Sequence, residues 1–139
     1  MPFERPAHEK QPLPLRHVRV LVVEDQPASA DAIRRALARW GCDARVCQTG
    51  AEALETASEY HPHVAVLELD LPDVDGCEVG RYLKEQSGLD DLALVAMTGS
   101  GRNDSRRRTS DAGFDLHLLK PVRPDVLHSL LARVEQSAW

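Results

Sequence analysis

The sequence predicts an α/β fold, a doubly wound parallel sheet of five strands alternating with five helices. Short, nearly continuous β-branched runs recur along the chain, as strands buried on both faces require. Between them lie segments with apolar residues at helical spacing, most of them bounded by Pro or Gly. The polar residues Glu24, Asp25, Glu68, Thr98 and Lys120 all fall where a strand run ends.

Val18-Arg19-Val20-Leu21-Val22-Val23 reads as the first strand. Pro27 suits the first turn of the helix that follows. Ile33, Ala36, Leu37 and Trp40 then recur at helical spacing, and Gly41 ends the helix. Residues 43–47 make a weaker strand. The next helix covers about 51–60, with Leu54 and Ala57 on one face, and stops before Pro62. Val64-Ala65-Val66-Leu67-Glu68 is the third strand, followed by a loop rich in Asp and Pro, residues 70–76. A helix near 77–86 carries Val79, Tyr82 and Leu83. Residues 92–97 form the fourth strand. The polar stretch with Arg106-Arg107-Arg108 is predicted helical and ends at Gly113. Residues 116–119 are the fifth strand. The last helix starts at Pro124 and is expected to bury Val126, Leu127, Leu130, Leu131 and Val134.

A chain of 139 residues fits one domain with a core of its own. Residues 1–16 carry Pro2, Pro6, Pro12 and Pro14 and read as a flexible tail. The domain itself spans 17–136, and residues 137–139 are a short end. The net charge of −5 argues against a general nucleic-acid binder, which needs a basic face. No apolar run approaches the roughly 20 residues that cross a bilayer, and the N-terminus lacks the apolar core of a signal peptide. Cys42, Cys47 and Cys77 form no C-x-x-C pair, so they read as reduced thiols of a cytoplasmic protein.

In doubly wound sheets, ligands bind beyond the carboxyl ends of the strands, where strand order reverses. Three carboxylates, the Thr98 hydroxyl and the Lys120 ammonium converge there. Carboxylates this close repel each other, and a divalent cation relieves the repulsion. A hard oxygen site with few protein ligands suits Mg²⁺. Lys120 adds a compact positive charge able to pair with an acid or a phosphoryl oxygen.

Four motifs recur in order: Val22-Val23-Glu24-Asp25, Leu71-Pro72-Asp73-Val74-Asp75-Gly76, Thr98-Gly99 and Lys120-Pro121. On them, residues of about 17–136 resemble the receiver domain of two-component response regulators and hybrid histidine kinases. The stretch Gly113 to Val122 is most similar to receivers of hybrid kinases. The resemblance implies a flavodoxin-like sheet of order 2-1-3-4-5. It gives Glu24 and Asp25 as the acidic pair for Mg²⁺ and the backbone carbonyl of Asp70 as a further ligand. Thr98 and Lys120 are the phosphoryl contacts, and His117 is the switch position, usually aromatic. The Lys120-Pro121 bond is expected to be cis. The family carries its phosphorylated Asp four residues before the loop proline; counting back from Pro72 gives Glu68.

Glu is one methylene longer than Asp, so its carboxylate reaches about 1.5 Å further. It crowds the metal, weakening the Mg²⁺ site to which Glu68 itself would belong, and it reaches toward Lys120 and Thr98. The expectation is therefore a non-enzymatic protein-binding module, phosphorylation-independent or phosphomimetic. It would dock a histidine kinase or other signalling protein through the fourth-helix and fifth-strand face, as a monomer or weak homodimer. The alternative is an ordinary receiver that forms an acyl phosphate on Asp70 or Glu68. A Mg²⁺-dependent phosphatase using Glu68 and Asp70 lacks a cap to exclude water. An FMN binder lacks a Gly-rich phosphate cradle after the first strand.

Overall fold

The computed structural model describes residues 14–86, 89, 91–99 and 103–137, with the side chains of 103–105 and 137 left aside. Five strands and five helices alternate in it. They are β1 (Arg19–Val23), α1 (Pro27–Arg39), β2 (Asp43–Cys47), α2 (Gly50–Tyr60), β3 (Val64–Glu68), α3 (Gly76–Glu85), β4 (Ala93–Thr98), α4 (Asn103–Asp111), β5 (Leu116–Leu119) and α5 (Pro124–Ser137). The sheet is parallel with order β2-β1-β3-β4-β5, as expected.

The strand runs fill two cores by simple alternation, because successive side chains point to opposite faces. Val20, Val22, Val64, Val66, Val95 and Met97 pack against Ile33 and Leu37 of α1 and Leu127, Leu130 and Leu131 of α5. Leu21, Val23, Ala65, Leu67 and Leu94 pack on the other face against Ala53 and Ala57 of α2 and Val79 and Leu83 of α3. Each such leucine or valine stabilises the fold by about 1.5–3 kcal/mol through burial.

β2 and β5 are the edges, each paired on one side only. That explains the polar character of Asp43 and Arg45 in β2, which face water. Gly41 and Gly113 close α1 and α4 at φ of 80° and 93°, where a side chain is disfavoured.

Three expectations need correction. Leu15, placed in the flexible tail, is buried at 2% exposure, and its N–H donates to the Trp40 carbonyl at 2.7 Å. The ordered fold thus begins before residue 17, because α1 and its following turn leave an apolar site that Leu15 fills. The rest of the tail, residues 1–13, and the end at 138–139 lie outside the described residues. Val126 is 39% exposed: it sits in the first turn of α5, at the margin of the stripe made by Leu127, Leu130 and Leu131. Tyr82 is 55% exposed, although helical spacing groups it with Val79.

His63, just before β3, accepts the Arg19 N–H on Nδ1 at 3.0 Å. That bond requires an unprotonated Nδ1. Burial, then the Arg19 charge, holds this imidazole below its ordinary range. A base with a lowered folded pKa contributes stability that is complete above its unfolded value and lost as pH falls through the folded one. The urea midpoint is expected to drop between about pH 7 and about pH 5, and His63→Gln, which keeps an acceptor without a titrating proton, is expected to flatten part of that drop.

Candidate functional site

Strand order reverses between β1 and β3, and the crevice beyond their carboxyl ends is where such sheets hold their chemistry. Glu24 follows β1, and its N–H donates to the Cys47 carbonyl at 2.9 Å. The residue is fully buried. Glu68 is the last residue of β3 and is 6% exposed. Thr98 ends β4 and is also buried. Lys120 follows β5, and its N–H donates to the Thr98 carbonyl at 2.9 Å. One further ladder bond therefore fixes the lysine backbone beside the β4 end. The Lys120-Pro121 bond is cis, as expected.

The Lys120 ammonium joins the two buried carboxylates. Its Nζ lies 2.5 Å from Glu68 Oε1 and also donates to Glu24 Oε1. The other Glu68 oxygen, Oε2, accepts the Asp70 N–H at 3.2 Å. Burial pulls the Lys120 ammonium toward neutrality, but hydrogen bonds and charge from Glu24 and Glu68 outweigh it, and its pKa stands above the ordinary lysine value. Two carboxylates share one ammonium, and Glu24 Oε2 is closed to solvent without a hydrogen-bond partner.

The remaining expected residues are less enclosed. Asp25 is half-buried, and Asp70 is exposed in the loop after β3. His117 lies on β5 opposite Ala96 of β4, and both its ring nitrogens are closed to solvent without a partner. So the structure brings Glu24, Glu68 and Lys120 into direct contact.

The loop after β3 is held by contacts the sequence did not reveal. Asp73 accepts the N–H groups of Gly50 and Ala51 at 2.9 and 3.0 Å, capping α2 from outside its own segment. Those bonds keep the Asp73 carboxyl below the usual carboxylate range. Asp75 caps α3 through the Cys77 N–H at 2.8 Å and pairs with Arg108 of α4. The Asp75-Gly76-Cys77 stretch carries a cap signal at short range; the Asp73 and Arg108 contacts span 22 to 33 positions, and no local pattern encodes them. Gly76 is packed against the β3 end: a Cβ there would lie 2.4 Å from the Glu68 carbonyl oxygen and 2.6 Å from Leu69 Cα.

Comparison with known proteins identifies the family. The response regulator receiver domain matches residues 20–132. The chain belongs to that family. It is 37% identical over 117 residues to the response regulator MprA of a Mycobacterium species (strain KMS), covering 84% of this chain and 49% of that protein. It is 29% identical over 133 residues to the sensor protein EvgS of Escherichia coli O157:H7, covering 95% of this chain and 11% of that protein. This chain thus spans about half of the first relative's length and a small part of the second's. Among solved structures, the BeF₃-activated DrrB receiver domain is 26% identical with a TM-score of 0.77, covering 86% of this chain and 97% of that one. The receiver of the sensor histidine kinase PA1611 of Pseudomonas aeruginosa PAO1, solved with a magnesium ion in its cleft, shares the fold at a TM-score of 0.79 and 24% identity, covering 86% of this chain and 98% of that chain.

A family receiver implies a Mg²⁺ site. Here the donors are hard oxygens, which suits the ion, and the unpartnered Glu24 Oε2 is such a donor. Among the described residues no three His, Cys, Asp or Glu side chains are gathered around one point for a metal ion. Glu24 and Glu68 each direct an oxygen to Lys120 instead.

Lys120→Met is expected to destabilise the domain by about 3–5 kcal/mol, because it strands two buried carboxylates; urea unfolding at neutral pH measures it. Gly76→Ala is expected to cost about 1–3 kcal/mol, since the atoms it would meet are backbone and cannot swing aside. The same melts check it, with Gly99→Ala, where a Cβ meets nothing, as the control.

Proposed function

We propose that this receiver acts without phosphoryl transfer, with Glu68 standing where family members carry the phosphorylated aspartate. The 2.5 Å pair between Glu68 and Lys120 carries this reading. The lysine that would contact a phosphoryl oxygen is already held by a carboxylate of the chain itself. Glu68 supplies about one negative charge there, against roughly −2 for a phosphoryl group. Its extra methylene also misplaces the oxygen that would attack a phosphoryl donor. Positioning dominates such transfers, and an ångström of misplacement costs about 100-fold.

In this reading the domain is a docking module held near one conformation, with no turnover of its own. The inward-closed ring of His117 agrees with a fixed switch position. Mg²⁺ binds weakly because Lys120 competes for the same carboxylates. The partner is a histidine kinase or another signalling protein, met on the α4–β5 side, and the chain is a monomer or weak homodimer.

Incubation with Mg²⁺ and acetyl phosphate, read by intact mass, tests the proposal. The unmutated chain is expected to take up no phosphoryl group, and Glu68→Asp is expected to gain one. Ready labelling of the unmutated chain overturns the reading. If that label vanishes in Asp70→Asn, the exposed Asp70 is the acceptor instead.

A further inference from the structure

We propose that the groove between α2 and α3 docks a cationic, amphipathic helical segment of a partner protein. This goes beyond the reading above, because it adds a second surface that shares no residue with α4 or β5. The groove has a volume of about 350 Å³ and is lined by Leu54 of α2 and by Tyr82, Glu85 and Gln86 at the end of α3.

Its floor is apolar and its walls are tied together. Leu54 is half-buried and packs against the core beneath α2 and α3. The Gln86 side chain donates from Nε2 to the Leu54 carbonyl at 3.2 Å, which links the end of α3 to the middle of α2. The groove is therefore formed before anything enters it. Tyr82 stands beside it at 55% exposure, above any other large apolar side chain among the described residues. An open aromatic face attracts a guanidinium or ammonium. The chain's other tyrosine, Tyr60, already has the Arg45 guanidinium 5.1 Å from its ring centroid. Among the described residues Tyr82 has no such cation.

The rim is acidic and its charges are uncommitted. Glu78, Tyr82 and Glu85 recur at i, i+4 and i+7 and so share one stripe of α3. Glu55 adjoins Leu54 on α2, and all three glutamates are exposed. Among the described residues no ion pair reaches Glu55, Glu78 or Glu85. The neighbouring cations of α3 are turned elsewhere. Lys84 donates to the Leu92 carbonyl at 2.6 Å and lies 3.5 Å from Asp115. Arg81 lines the cleft toward α4 with Asp75 and Arg108.

This pattern says what fills the groove. Glu78 and Glu85 lie two turns apart, about 10 Å along α3. Two cations seven residues apart on a helical segment meet both, and an apolar residue between them covers Leu54 and the Tyr82 ring. A net charge of −5 draws a cationic partner from a distance. A nucleic-acid backbone would be repelled by the rim. A second copy could offer the exposed arginines of α4, but the α4 sequence has no apolar residue to anchor in the groove.

The test titrates the full chain with a synthetic helical peptide of about 12 residues carrying two Arg seven positions apart and Leu between them. An Arg→Gln counterpart and spermidine serve as comparisons. Amide shifts and calorimetry are read at about 50 mM and about 300 mM salt. Shifts are expected at Leu54, Glu55, Tyr82, Glu85 and Gln86. Tyr82→Ala is expected to weaken binding about tenfold, as an aromatic anchor does, and Tyr82→Phe, which keeps the ring, to preserve it. Glu85→Lys is expected to weaken binding more at the lower salt than at the higher. Both positions are exposed, so these chains are expected to keep the urea midpoint of the parent. Equal binding of the two peptides, shifts confined to the α4–β5 side, or unchanged affinity in Tyr82→Ala overturns the proposal. Spermidine matching the Arg peptide also overturns it, since charge alone then suffices. So does a loss of self-association in Tyr82→Ala, or a change in the signals of residues 1–13 in that unbound variant, because a second copy or the chain's own N-terminal segment is then the occupant. None of these outcomes bears on phosphoryl labelling, so the Glu68 reading stands or falls separately.

Discussion

Two carboxylates buried at the end of a sheet cannot stay ionised without a cation close by. In this receiver the cation is Lys120, and the sheet itself delivers it. β3 ends at Glu68, β4 pairs with β3 on one side and β5 on the other, and the Lys120 N–H adds one more bond to the Thr98 carbonyl. The lysine then reaches back across the β4 end to Glu68 and to Glu24 beyond β1. Three segments far apart in the chain are tied through one ammonium. Its exposure is low, so solvent screens these interactions weakly.

The loop after β3 is built to hold still around that cluster. Asp73 and Asp75 anchor it to the starts of α2 and α3, and Gly76 lets it press onto the β3 end. The Asp75–Arg108 pair extends the same loop to α4. That pair is half-exposed and contributes little stability. It does place α4 in contact with the loop that begins at the buried acids.

Much of this was legible in the chain. Alternating apolar runs gave the strands and their two cores, since a strand buried on both faces has no polar side to show. The ends of those runs gave Glu24, Asp25, Glu68, Thr98 and Lys120, because parallel strands must deliver their carboxyl ends to one edge of the sheet. Leu15 was missed because prolines around it mimic a linker, while its burial depends on a site formed by Trp40 and α1. Val126 and Tyr82 carry the right residue types for a core, but helical spacing alone does not say where a helix face meets the sheet and where it overhangs.

The sequence by itself determined which acids, hydroxyl and lysine stand at the strand ends, for their positions follow from short-range periodicity. Which of them touch was decided only in three dimensions. Glu68 and Glu24 share Lys120 while Asp25 and Asp70 stay toward the surface, because contact depends on strand register, on side-chain reach and on the loop pinned by Asp73 and Asp75. No window of neighbouring residues contains those distances: the lysine lies 52 positions from one carboxylate and 96 from the other, and only the closed sheet brings them together.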